Sequence, residues 1–390
     1  PYLLVGNINE EGTYLRKTKG HFDQFKIQQV SGHAESVDTK AKQVKLVGGK
    51  SLAYDKLLIA TGSKPVRPPI PGIDSAGVHP CWTLEDARAI QKLAKPGARV
   101  LQMGAGFIGC IILEALASRG VDLTVVEMGN RMVPRMMTEG AGTLIKEWVQ
   151  SKGVTVYTDT KVEEITPVQS SGGIVSKIVG IFGGSSTSPL QVKLSNGKTI
   201  EVDLVISATG VRPNIAYLKN SGLEINTGIL VDNKMQTSVP DVYAAGDVTE
   251  SVDFSTGKRI VNAIQPNAAE QAKIAGANMV GGKAESQGTI QINVLDTLGL
   301  ISSSFGQWWG VEGGDHVELR DAKNFKYMRL EFNGDVLIGV TSCGLTEHVG
   351  ALRGLIQTRV PLGEWKEHLM HNPTKIMDAY LARAQARAQW

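Results

Sequence analysis

The chain has 390 residues, enough for two or three domains that each carry a core. Its 41 Lys and Arg stand against 38 Asp and Glu, and a net charge of +3 makes no case for nucleic acid as a partner. No apolar run approaches the roughly 20 residues that cross a bilayer, residues 1–6 lack the pattern of a secretory signal, and three cysteines build no disulfide framework, so a soluble, cytoplasmic protein is expected.

In chain order, residues 44–47 and 51–54 flank Gly48 and Gly49 and read as a hairpin. A short buried strand over 57–60 ends at Thr61, Gly62 and Ser63. Within 64–72, five residues are Pro or Gly, which marks an extended crossover between domains. A helix over 84–93 leads into the most informative stretch, an apolar strand over 100–103 that runs into Gly104, Ala105, Gly106, Phe107, Ile108 and Gly109. A helix-like segment over 111–118 follows, and then a second apolar strand over 123–126 that ends in Glu127.

This is the G-x-G-x-x-G pattern in the context that gives it meaning. Gly104 allows the tight turn, Gly106 lets a pyrophosphate approach the backbone, and Gly109 lets the helix pack closely on its strand. Glu127, 18 residues past Gly109, is placed to present a carboxylate to a ribose 2′-hydroxyl. It repels a 2′-phosphate, and Met128, Gly129 and Asn130 offer no cation, so NADH is expected over NADPH. Arg131 and Arg135 are the cations that could serve a 2′-phosphate.

Beyond Glu127 a helix is expected around 142–151 and a strand over 154–157. Alternating strands follow to 206, with turns at 171–173, 183–188 and 196–197. Residues 204–210 form a second apolar strand ending in Ala208, Thr209 and Gly210, and 242–247 a third ending in Gly246 and Asp247. A helix spans about 267–279, after Gln265 and Pro266. Strands over 290–295, 300–305, 327–332 and 336–341, the last pair joined at Asn333 and Gly334, then give way to helices at 347–357, 362–371 and 374–386.

The ordered set Ala60–Ser63 with Pro65, the 104–127 unit, Ala208–Gly210 with Pro213, and 237–247 resembles the pyridine nucleotide-disulfide oxidoreductase superfamily. The resemblance is strongest to its NADH oxidase, rubredoxin reductase and nitrite reductase branch, and covers essentially the whole chain. It implies an α/β fold: two Rossmann-like, three-layer ββα dinucleotide-binding domains and a C-terminal α+β domain. The expected division is an FAD-binding domain over 1–75 and 205–285, an NAD(P)-binding domain over 76–204, and a C-terminal interface domain over 286–390. FAD and NADH are the implied cofactors and a homodimer the implied assembly. Asp247, after Gly246, falls where the family bonds the ribityl chain. Gln265 and Pro266 fall where a helix start faces the flavin pyrimidine. The resemblance implies that Thr61 and Gly62 lie beside FAD, and Gly210 beside NAD.

The chain departs from the family at three points. The family's FAD domain opens on its own strand and G-x-G-x-x-G, and this sequence shows neither ahead of Pro1, so a truncated flavoprotein lacking the adenosine-pyrophosphate half of that site is expected. Cys81, Cys110 and Cys343 lack redox spacing, and Cys110 reads as a buried small hydrophobe. A glutamate that relatives often place two residues past the last glycine is Ile111 here, with Glu114 one turn on. His348, His368 and His371 lack companions for a metal site, and Trp308 and Trp309 read either as a packed domain interface or as cover for a flavin face. The expected activity is hydride transfer from NADH to flavin and electron delivery to an unidentified acceptor, with no acid–base residue named. The alternatives are an NADH-responsive sensor without catalysis, and a thiol/disulfide reductase whose cysteine lies upstream of Pro1.

Overall fold

A computed structural model describes residues 1–168 and 189–385. The expected turns at 171–173 and 183–188 and the last residue of the helix expected over 374–386 lie outside them. The chain divides into two compact units, one of Pro1–Asn9, Pro65–Gly210 and Ile292–Trp390, the other of Glu10–Lys64 and Val211–Gln291.

The first unit is built on a five-stranded parallel sheet in the order Val78–His79, Leu204–Ser207, Arg99–Met103, Asp122–Val126, Thr155–Tyr157. Its central strands are runs such as Leu204–Ser207, all four residues buried, because helices and a second sheet cover both faces. The helix Leu84–Leu93 starts where expected and has a full capping box: Asp86 N–H donates to Thr83 Oγ1 (3.2 Å) and Thr83 N–H to Asp86 Oδ2 (2.8 Å). The helix Phe107–Ala117 begins four residues earlier than the sequence suggests, since its N-cap is Gly106 and no side chain caps it. A three-stranded antiparallel meander, Val162–Pro167, Leu190–Leu194 and Thr199–Val202, lies alongside, with a turn at Gly197.

The same unit carries the C-terminal five-stranded antiparallel sheet, in the order Ile292–Thr297, Leu300–Gly306, Val336–Cys343, Lys326–Asn333, Asp315–Asp321. Sequence reasoning does not find Asp315–Asp321. It is an edge strand with no fully buried residue, and only Val317 and Leu319 of its seven residues are apolar, so the alternation of half-buried and exposed positions is too weak to announce a strand. This sheet packs on the parallel unit through Trp148, whose Nε1 donates to Thr297 O (3.0 Å), and through the buried Tyr327, whose hydroxyl pairs with Thr138 (2.8 Å) and donates to Glu318 (2.8 Å). Helices Val349–Thr358, Glu364–His371 and Ile376–Tyr380 close the chain, each starting two residues inside its expected range. Trp308 and Trp309 lie in a turn beyond Leu300–Gly306, the first buried and the second 46 % exposed.

The second unit pairs Leu57–Ile59 in parallel with Val242–Ala244 and Ile229–Leu230 in parallel with Thr249–Val252. A meander of Ala34–Asp38, Gln43–Leu46 and Ser51–Ala53 contains the expected hairpin. Its core gathers Val37, Ile59, Ile229, Val242, Ala244, Val248 and Ala275. Among the described residues no helix is long and apolar enough to cross a membrane, and no group of three His, Cys, Asp or Glu is placed to hold a metal ion.

Candidate cofactor-binding sites

In the first unit the strand Arg99–Met103 ends at Gly104, which has φ +95°. A Cβ there would stand 2.4 Å from the carbonyl oxygen of Ala208, so the Ala208–Gly210 turn lies directly against Gly104 and only glycine fits between them. A Cβ on Gly109 would stand 2.5 Å from the Gly104 oxygen, which is the close helix–strand approach the pattern demands. Gly106 differs from both: a Cβ there meets nothing within 4 Å. Open space at the start of a helix with no side-chain cap leaves backbone N–H groups free to meet an anion.

Glu127 does more than the sequence suggests. Its Oε2 accepts from the Ala105 N–H (2.7 Å) and its Oε1 from the Gly129 N–H (2.8 Å), so the carboxylate clasps the glycine turn to the loop after its own strand. A carboxylate has about four acceptor positions, and these bonds occupy two of them. Arg131 is tied to its own loop through three of its five N–H donors, which reach Met137 O, Asn130 Oδ1 and Pro134 O. Gly210, at φ +107°, has nothing within 4 Å of a Cβ position, and its carbonyl accepts from Val66 N–H (2.8 Å). Glu114 lies against the C-terminal hairpin. Burial and the nearby Asp296 hold its carboxyl above the usual range, and the Leu298 N–H offsets part of that rise.

In the second unit the parallel strands Leu57–Ile59 and Val242–Ala244 bring their carboxyl ends side by side, and the residues that follow each strand meet. Ser63 Oγ donates to Asp247 Oδ2 (2.7 Å). Thr61 donates to Asn214 O (3.2 Å) and pairs with the Tyr217 hydroxyl (3.1 Å), while Gly62 O accepts from Asn214 N–H (2.9 Å). Burial pushes the Tyr217 hydroxyl up from its ordinary value, partly offset by Thr61. Gly246 N–H donates to Gln271 Oε1 (2.8 Å), an acceptor that Thr249 Oγ1 shares (3.0 Å). The helix Gln265–Met279 starts with Pro266 in its first turn and no side-chain cap, leaving Gln265 and Pro266 exposed.

Sequence reasoning overlooks Gln271 and the pairing role of Ser63. A signal for Gln271 exists: buried Asn267, Gln271 and Asn278 put amides on the inner face of one helix, where a purely structural helix carries apolar residues.

The donor and acceptor sets fit the two cofactors that the sequence implies. The turn supplies N–H donors and open space for a pyrophosphate, with a carboxylate beside them for a ribose. The second unit supplies a carboxylate for hydroxyl groups and an uncapped helix start. It also holds Asn262 Nδ2, a buried donor with no partner, three residues ahead of that helix.

The three cysteines are poor nucleophiles where they stand. Burial pushes the Cys110 and Cys343 thiols up to about 12 and that of Cys81 up to about 11. The folded protein is therefore expected to resist thiol alkylation at mildly alkaline pH and to take up three equivalents once unfolded. Fast labelling of Cys110 or Cys343 in the native state would contradict these sites.

A family profile described as pyridine nucleotide-disulphide oxidoreductase matches residues 5–272. The epsilon subunit of the NADH-dependent phenylglyoxylate dehydrogenase of Aromatoleum evansii is 30% identical over 384 residues, which is 96% of this chain and 86% of that one. An NADH oxidase of Methanocaldococcus jannaschii is 36% identical over 294 residues, 73% of this chain and 61% of the relative. Among solved structures, an NAD-dependent persulfide reductase from A. fulgidus superposes with a TM-score of 0.81 at 28% identity, covering 93% of this chain and 70% of that one.

Proposed function

We propose that this chain, which belongs to the pyridine nucleotide-disulphide oxidoreductase family of FAD- and NADH-using enzymes, is an NADH-dependent flavoprotein reductase that serves an electron acceptor beyond the flavin. The observation that carries the reading is the open glycine turn at Gly106, set on an uncapped helix start and clasped by Glu127. When bound, NADH supplies a hydride and FAD the ring that receives it and releases electrons to the acceptor. The protein's part is placement and electrostatics. The N–H groups at the start of Phe107–Ala117 hold the pyrophosphate, and Glu127 receives the adenosine ribose hydroxyls on its remaining acceptor positions. Asp247, fixed by Ser63, receives hydroxyls of the flavin side chain, and the start of Gln265–Met279 turns its positive end to the flavin ring.

Two features support NADH over NADPH: the negative charge of Glu127, and the engagement of Arg131 with backbone carbonyls. The raised thiols of Cys81, Cys110 and Cys343 lend no support to disulfide exchange through these residues. The proposal divides an FAD-binding domain over 1–75 and 205–285 around an NAD(P) domain at 76–204, with an interface domain at 286–390; the interrupted second unit, Glu10–Lys64 with Val211–Gln291, supports the divided FAD domain alone. The proposal includes a homodimer in the cytoplasm. The three relatives differ by name, an oxidase, a dehydrogenase subunit and a persulfide reductase, so the acceptor is a question for experiment.

The test is anaerobic titration of the purified protein with NADH. The flavin absorbance should bleach at one equivalent and return on adding the acceptor. A full-length protein that holds no flavin, or whose flavin ignores NADH, overturns the reading. Bleaching without return for any acceptor, joined to a change of oligomeric state, favours the NADH-responsive sensor.

A further inference from the structure

Gln102 interrupts the apolar strand Arg99–Met103, and it does so completely buried, with Val100, Leu101 and Met103 buried around it. A carboxamide there costs free energy unless it is hydrogen-bonded. Its Nε2 donates to Gly104 O (2.9 Å) and to Gly109 O (2.9 Å), the first and last glycines of the turn, while its Oε1 stays buried without a partner. An apolar side chain of the same length would remove the orphaned Oε1 but leave the Gly104 carbonyl without this donor, so the amide's worth lies in holding that carbonyl.

The peptide joining Gly104 to Ala105 gives it a role. Its carbonyl is held by Gln102 and its N–H by Glu127 at 2.7 Å, so a single peptide plane is clamped at both ends. Rotation of that plane would swing the Gly104 carbonyl, an acceptor, out of the sheet interior and misdirect Gly106 next to it.

We propose that Gln102 is a positioning residue for dinucleotide binding: its amide ties Gly104 to Gly109 and keeps the Gly104 carbonyl turned inward, so that the turn offers the pyrophosphate donors alone. The proposal rests on the reading of this turn as the NADH site. It assigns Gln102 no contact with the nucleotide.

The test uses the purified protein with two probes, ADP-ribose, which has the pyrophosphate, and adenosine, which lacks it. Gln102→Met removes the donors at equal length. It should weaken ADP-ribose about tenfold, the worth of a hydrogen bond whose partner is left unpaired. Adenosine binding should hold, and the melting temperature should fall only modestly, because loss of the orphaned Oε1 offsets the unpaired Gly104 carbonyl. Gln102→Glu adds a pH signature. As a neutral acid it donates one bond and as a carboxylate none, so its ADP-ribose affinity should fall as pH rises while that of the unaltered protein stays level. Equal ADP-ribose affinity in Gln102→Met and the unaltered protein overturns the proposal. So does a parallel loss of ADP-ribose, adenosine and melting temperature, which marks a purely structural amide. Failure of the unaltered protein to bind ADP-ribose overturns instead the NADH-site reading beneath it.

Discussion

Gly106→Val is expected to weaken NADH binding severely in a protein that still folds. Gly106 sits at φ −74° and ψ −171°, extended backbone that any residue adopts, and a Cβ there meets nothing within 4 Å. The cost to the apoprotein is that of a poor N-cap, about 1 kcal/mol. A bound pyrophosphate changes this, because a branched side chain then stands where the anion must approach the backbone. Losing one or two hydrogen bonds to a charged group, at about 1.5–3 kcal/mol each, weakens NADH roughly 100-fold. The neighbouring glycines give the contrast. Gly104→Ala meets both the left-handed backbone and the Ala208 oxygen at 2.4 Å, and Gly109→Ala meets the Gly104 oxygen at 2.5 Å, so both should lower the melting temperature before any ligand is added. Thermal melts and NADH titrations of the three variants read this directly. A Gly106→Val protein that binds NADH normally, or unfolds like Gly104→Ala, would refute the assignment of the turn.

These contrasts also mark what the sequence discloses. Gly104 and Gly109 are legible because each answers a steric demand within the protein, Gly106 because an approaching pyrophosphate needs the open space, and the flanking apolar runs because a parallel sheet buried on both faces needs them. The supporting polar contacts are not. Gln102 and Gln271 each lie in a core where an amide looks like an interruption, and their targets, the carbonyls of Gly104 and Gly109 and the N–H of Gly246, are backbone atoms that leave no trace in residue identity. Phe107–Ala117 starts ahead of its expected place for a related reason: the side-chain cap that announces a helix is missing where an anion is to take its place. Asp315–Asp321 escapes notice because its neighbour Lys326–Asn333 supplies the hydrogen bonds that its polar pattern does not advertise.

Glu127→Ala carries the other large effect, and it divides between stability and coenzyme choice. Ala105 is fully buried, so removing the carboxylate strands an N–H that water cannot reach, and the Gly129 N–H loses its partner as well. One stranded donor and one lost charge-assisted bond amount to about 2–3 kcal/mol. Glu127→Gln should lose less, since its amide oxygen still accepts one of the two bonds. Coenzyme choice should move differently in the two variants. Both lose the charge that repels a 2′-phosphate, so the preference for NADH over NADPH should shrink by about tenfold or more, the scale of one close charge interaction. It should not reverse through Arg131, which stays committed to Met137 O and Pro134 O; the exposed Arg135 is the cation left to meet the added phosphate. The measurement is the pair of dissociation constants for NADH and NADPH in each variant, beside its melting temperature. If discrimination survives in Glu127→Gln, a group other than this carboxylate sets the choice. If NADPH becomes the tighter ligand, either Arg135 has turned to the phosphate or Arg131 has left its loop, and Arg135→Ala separates the two.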